Sequence, residues 1–128
     1  MSSFAITHIG QIAINIKEVD RAVDFYQNKL GLPMLFRAGE LAFFQSGQTR
    51  LMLSKPSKAE FDHPSSILYF FVSDLPSAHA EMKSRGVEFT DEPHLVAKLP
   101  DHDLWMCFFQ DSEGNTLGLM SEVRPPAK

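Results

Sequence analysis

Between Ile9 and Ile16 isoleucines recur with small polar residues between them, the pattern of a half-buried strand. From Val19 the period lengthens: Val19, Ala22, Val23, Tyr26 and Leu30 fall on one helical face, while Asp20, Arg21, Asp24, Gln27 and Lys29 take the other. Gly31 offers a left-handed stop and Pro33 keeps the helix from resuming. Strands are predicted around Met34–Arg37, Leu41–Gln45 and Arg50–Ser54, separated by AGE and SGQ turns at 38–40 and 46–48. A connector with two prolines and little periodicity follows, and then the pattern restarts. Ile67–Val72 reads as an apolar strand. Ser73 or Asp74 caps a helix with Leu75, Ala78 and Met82 on its apolar side, and Gly86 ends it. Further strands are predicted at Val87–Phe89, Trp105–Gln110 and Thr116–Ser121. Ile16 and Val72, Val19 and Leu75, Ala22 and Ala78, and Tyr26 and Met82 are each 56 positions apart. The chain therefore reads as one domain, 1–128, made of two similar modules, 4–55 and 66–122, with a connector at 56–65 and a frayed tail at 123–128. Neither module can bury both faces of its sheet alone, so pairing them creates a shared core or a cleft, and a cleft between repeats is a natural ligand site.

Composition narrows the partners. The 128 residues are 44% hydrophobic, with eleven phenylalanines, enough for a packed core. Twelve basic against sixteen acidic residues, with the basic ones scattered, argue against a nucleic-acid backbone as partner. No segment reaches the roughly 20 apolar residues of a membrane span, and the start of the chain lacks a basic, then apolar leader, so a soluble, cytoplasmic protein with no membrane partner is expected. The one cysteine, Cys107, cannot close an intrachain disulfide or form a paired-thiolate zinc site, and no basic neighbour in sequence activates it as a nucleophile.

The stretch from Ile14 to Leu32 (INIKEVDRAVDFYQNKLGL), its echo VSDL at 72–75 and the turn DSEGN at 111–115 resemble the vicinal oxygen chelate superfamily of glyoxalase I, bleomycin-resistance proteins and extradiol dioxygenases. The last motif is similar to that family's DPDG turn, with Ser112 and Glu113 in place of Pro and Asp. The resemblance covers nearly the whole chain. It implies an α+β fold of two paired βαβββ modules whose curved mixed sheets form a cleft, within one chain or between the swapped halves of a homodimer. Metal-binding members carry four ligands, on the first and last strand of each module. Carried over by the family's spacing, these positions are Gln11, fourteen before Phe25, then Met52, Ile67 and Gly118. Only Gln11 offers a ligand known from glyoxalase I enzymes; a thioether is poor for borderline or hard ions, and Ile and Gly have no donor. No cofactor is expected, with a divalent metal left open if its ligands have moved.

The resemblance also places Met52 and Ile67 on the cleft, and strand parity then brings Tyr69 and Phe71 there, giving an aromatic lining for Gln11, Met52, Ile67, Tyr69, Phe71 and Gly118. The segment 93–106 (PHLVAKLPDHDLWM) is read as a loop over that cleft, contributing His94, Trp105 as a stacking surface, and His102 as a candidate acid or base near neutral pH. The bland alternative is a solvated loop with Trp105 plugging the sheet edge, and with Asp101, His102 and Asp103 merely bonding one another. His8 lies three residues from Gln11 and so on the opposite strand face, while His63 and His79 are expected at solvent. Three functions are weighed. The first is a metal-free binder of a small, partly apolar organic molecule. The second is a glyoxalase-class lyase or isomerase with a relocated metal or acid–base chemistry at His102, and the third is an interaction module.

Overall fold

The computed structural model describes Phe4, Ile6 and residues 8–56, 59 and 62–125. Connector residues 57, 58, 60 and 61 and tail residues 126–128, to which expectations were attached above, lie outside the described residues.

The first module runs β1 (Gln11–Asn15), α1 (Val19–Asp24), β2 (Met34–Ala38), β3 (Leu41–Ser46) and β4 (Thr49–Ser54). Its helix continues past Asp24 as a wider π-helical turn over Phe25–Lys29, in which the Leu30 N–H donates to the Phe25 carbonyl at 3.0 Å. Gly31, at φ +75°, then takes the left-handed conformation that a side chain would resist. The sheet order is β1-β4-β3-β2, with β1 and β4 parallel and the remaining pairs antiparallel.

The second module repeats this plan with β5 (Leu68–Phe71), α2 (Leu75–Ser84), β6 (Glu88–Phe89), β7 (His94–Lys98), β8 (Asp103–Gln110) and β9 (Thr116–Val123). Its sheet order is β5-β9-β8-β6, with β5 and β9 parallel and β7 also paired to β8. The repeat extends to single hydrogen bonds: Ile16 N–H donates to the Ser54 carbonyl, and Val72 N–H to that of Met120. One expectation is corrected. Residues 93–106 are not a loop but a β7–β8 hairpin, and a register shift between Leu95 and Ala97 hid the period-two pattern of β7.

A single core joins the modules. Ile14, Ala42, Phe44, Leu51 and Leu53 from the first sheet and Cys107, Phe109, Leu117 and Leu119 from the second are all buried in it, together with Ala22, Phe25 and Tyr26 of the first helical segment and Leu75 and Met82 of α2. Phe25 stacks on Phe109 across the modules with ring centres 6.5 Å apart. Because side chains alternate along a strand, burying these residues turns the other face of each sheet away from the shared core.

The DSEGN turn locks the arrangement. Asp111 accepts the Tyr26 hydroxyl at 2.7 Å and also holds the backbone N–H groups of Glu113 and Asn115. Burial, with the Asp111 charge beside it, holds the Tyr26 hydroxyl protonated well above its usual range. Glu113, its side chain fully buried, accepts from the N–H groups of Lys17 and Glu18 and from the Arg21 guanidinium at 2.7–3.0 Å. Burial alone would raise the Glu113 pKa. The hydrogen bonds from Arg21, Glu18, Lys17 and Ser112 outweigh it and hold the carboxyl at about 2.

Candidate functional site

On the outward face of the first sheet, side chains from all four strands form one chain of contacts across two neighbouring rows. Phe36 of β2 stacks on Phe43 of β3 at 4.5 Å, and the Arg50 guanidinium of β4 lies over Phe43 at 5.5 Å. Arg50 Nε donates to Gln11 Oε1 of β1 at 2.7 Å, and Gln11 Nε2 approaches Met52 Sδ at 3.6 Å. Gln11 and Met52, two of the predicted site residues, are thus brought together, but both ends of the Gln11 amide are engaged by neighbouring side chains. Beside Met52 lies a groove of about 630 Å³ lined by Ala13, Leu41, Ser54, His63 and Ser65. The connector borders it: the Asn15 N–H donates to Ser65 Oγ, and Asn15 Nδ2 donates to the His63 carbonyl.

The outward face of the second sheet is apolar. Tyr69, Gly118 and Phe108 are register partners across β5, β9 and β8, and Tyr69 meets Phe108 edge to face at 5.7 Å. A Cβ on Gly118 would stand 2.8 Å from Tyr69 Cδ2 and 3.3 Å from Phe108 Cε1, so Gly118 is where the aromatic rings close over the strand. The next row holds Phe71, Met120, Met106 and His94, the last at the sheet edge with its Nδ1 3.0 Å from the Glu92 carbonyl. Ile67 precedes β5 with the strand parity of Tyr69 and Phe71. Phe36, Ile67, Tyr69 and Phe71 are 44–60% exposed, an unusual concentration of large apolar groups at solvent.

Other predicted positions do not join these faces. Trp105 pairs in register with buried Ser121 and packs against the core, so it belongs to the helix side of its sheet and not to the face of Tyr69 and Gly118. There it borders a separate cavity of about 610 Å³ with Asp74, Leu75, Pro76 and Glu92. Its placement over the cleft came from reading 93–106 as a loop and not from strand alternation. His102 sits at the β7–β8 turn, its Nδ1 2.8 Å from Asp101 Oδ1 and its Nε2 3.8 Å from Glu122 Oε2. The His102 hydrogen bond holds the Asp101 carboxyl below its usual range. Glu122 shares the parity of Gly118 four residues away, so His102 stands at the rim, roughly 13 Å along the strand from the Tyr69–Gly118 contact.

His79, expected at solvent, is 8% exposed; its ring packs on Phe89 at 4.3 Å and its Nε2 lies 3.4 Å from Glu92 Oε2 without a well-formed hydrogen bond. The signal was present in the sequence, since His79 falls between Leu75 and Met82 on the apolar stripe. Cys107 is buried, and that burial, with Asp91 and Glu92 nearby, pushes its thiol up to about 11, which leaves it unreactive. Arg50 was missed altogether, because what marks it is its partner 39 residues earlier, visible only once the β1–β4 register is known.

The family's metal positions fail on chemistry. Gln11 is committed to Arg50, Met52 offers only a thioether, Ile67 is hydrocarbon, and the space a Gly118 side chain would need is taken by Tyr69. The residues present therefore do not fit a divalent ion there. Among the described residues, no cluster of three or more His, Cys, Asp or Glu side chains could hold one elsewhere, and no helix is long and apolar enough to cross a membrane.

Comparison with known proteins gives the same frame. A superfamily member from Sphaerobacter thermophilus DSM 20745 superimposes with a TM-score of 0.76 at 24% identity, covering 91% of this chain and 98% of that one. The lactoylglutathione lyase of Agrobacterium tumefaciens gives 0.71 at 20% identity, covering 91% and 94%. The uncharacterised protein YraH of Bacillus subtilis (strain 168) is 27% identical over 117 residues, 73% of this chain and 91% of YraH. Residues 8–119 match the sequence pattern of the Glyoxalase/Bleomycin resistance protein/Dioxygenase superfamily. With paired modules, a parallel pairing of the first and last strand in each, and a family match over most of its length, this chain belongs to that superfamily.

Proposed function

We propose that the protein is a cytoplasmic homodimer that binds a small, partly apolar organic molecule without a metal. The observation that carries this reading is the Tyr69 ring lying where a side chain on Gly118 would project, which makes an aromatic surface of a position that serves as a ligand elsewhere in the family. The two outward faces point away from the core of their own chain. A cleft walled by both therefore takes one face from each of two copies, which would also cover the exposed Phe36, Ile67, Tyr69 and Phe71.

Three measurements on the full chain test this together. Light scattering should give a dimer. Metal analysis of protein purified without chelator, with and without added nickel or zinc, should give far less than one ion per chain. A thermal-shift panel of planar, partly apolar metabolites and antibiotics should contain saturable binders whose affinity falls when Tyr69→Ala removes the ring. Stoichiometric metal, or no saturable binder in a broad panel, overturns the reading.

A glyoxalase-class lyase or isomerase is the second reading. What supports it is His102, set between the carboxylates of Asp101 and Glu122 at the rim of the second face, as a candidate acid or base. If it holds, His102→Ala abolishes turnover while the fold is retained.

A further inference from the structure

Each of the other four arginines faces a carboxylate: Arg21 has Glu113, Arg37 has Asp20, Arg85 has Glu81, and Arg124 has Glu122. Arg50 alone has none among the described residues. It stands exposed on an outward face, yet it is held. Its Nε is fixed by Gln11 Oε1 at 2.7 Å and its Cζ lies over the Phe43 ring at 5.5 Å from the ring centre, with Phe36 behind that ring.

An arginine serving only solubility would leave its guanidinium mobile in water. Here an amide and an aromatic ring restrict it, so the two terminal nitrogens are presented as a planar fork whose ordering cost is met before anything binds. Such a fork matches the two oxygens of a carboxylate or a phosphate. Met52, two residues along β4 on the same face, opens onto the neighbouring groove, so an oxyanion on Arg50 would leave an attached apolar body about 7 Å away over Met52, Ala13 and Leu41.

We infer that the outward face of the first sheet binds the oxyanion end of an amphipathic organic acid, with Arg50 as the recognition residue and Gln11 and Phe43 as the groups that position it. This rests on the cleft reading above and narrows its ligand class.

The test uses the full chain and follows the Arg50 side-chain Nε–H resonance, assigned by its loss in Arg50→Met. The probes are inorganic phosphate, phenylacetate and the neutral phenylacetamide. Phosphate and phenylacetate should shift the resonance saturably, with phenylacetate the tighter if the groove takes the ring, while phenylacetamide should not. Arg50→Met should weaken phenylacetate by about tenfold or more, and Arg50→Lys, which keeps the charge but loses the fork, by about three- to fivefold. Equal binding of acid and amide, unchanged by Arg50→Met, overturns the inference while leaving the cleft reading intact. No shift with either anion also overturns it, as does an Arg50→Met protein whose only change is weaker dimerisation, which would assign Arg50 to a carboxylate of the second copy. The cleft reading is decided separately by the panel and by Tyr69→Ala.

Discussion

The helices of the two modules begin 56 residues apart, at Val19 and Leu75, and the backbone N–H groups at and just before each start need acceptors from outside the helix. Helix α2 meets this need locally: Asp74, its own N-cap, accepts from the Ser77 N–H at 3.1 Å. Helix α1 has Glu18 at the cap position with no side-chain bond, and the acceptor arrives from the other module, where Glu113 takes the N–H groups of Lys17 and Glu18. One module is closed by its own sequence and the other by its neighbour's. The repeat is therefore a repeat of shape, while the forces that hold each copy are distributed unequally.

The sharpest way to break this asymmetry is Glu113→Ala. It leaves two N–H groups, the Arg21 guanidinium and the Ser112 hydroxyl without their shared acceptor. Because Arg21 is partly exposed and can return to water, the expected loss is about 2–4 kcal/mol of unfolding free energy, below the upper range for a fully buried ion pair. Urea unfolding checks it. The whole chain should still unfold in one transition, since both modules contribute to one core; a first module that melts alone would show that Glu113, and not the shared core, joins the two modules.

Acid titrates the same contact more gently. The Glu113 carboxyl sits at about 2 instead of its ordinary 4.5, so its contribution is complete above about 4.5 and is lost as pH falls toward about 2. The linked loss is of order 3 kcal/mol across that window at most. Unfolding free energies measured from about pH 5 down to about pH 2 should fall more steeply in the natural protein than in Glu113→Gln, which keeps an acceptor but has no proton to gain. Parallel slopes would mean that other carboxylates carry the acid sensitivity.

How much of this was legible follows from the range of each interaction. The 56-residue offset located both helix starts, and Gly31 and Pro33 marked the stop, because caps and periodicities are written within a few residues of where they act. The DSEGN motif identified a turn, but nothing within those five residues reveals that Glu113 caps a helix 95 positions earlier. Arg50 and Gln11 likewise meet only through the β1–β4 register. Trp105 was placed over the cleft for a different reason: read as part of a loop, it was not given the alternation of β8, in which it shares the side of buried Cys107 and Phe109. Parity did place Tyr69 and Phe71 on the face of Gly118, because β5 was read as a strand.

The smallest expected effect is Asp74→Ala, and it sharpens the comparison because it removes the self-supplied cap. Asp74 is exposed and its acceptor serves one N–H, that of Ser77, which water can reach once the carboxylate is gone. The expected cost is about 1 kcal/mol, the usual value for losing a helix cap. Asp74 and Glu113 share no partner, so in urea the double variant should lose the sum of the two single effects within about 0.5 kcal/mol. A larger loss in the double variant would mean that α2 also leans on the Glu113 clamp through the common core. The module that caps itself would then be no more independent than the one that borrows.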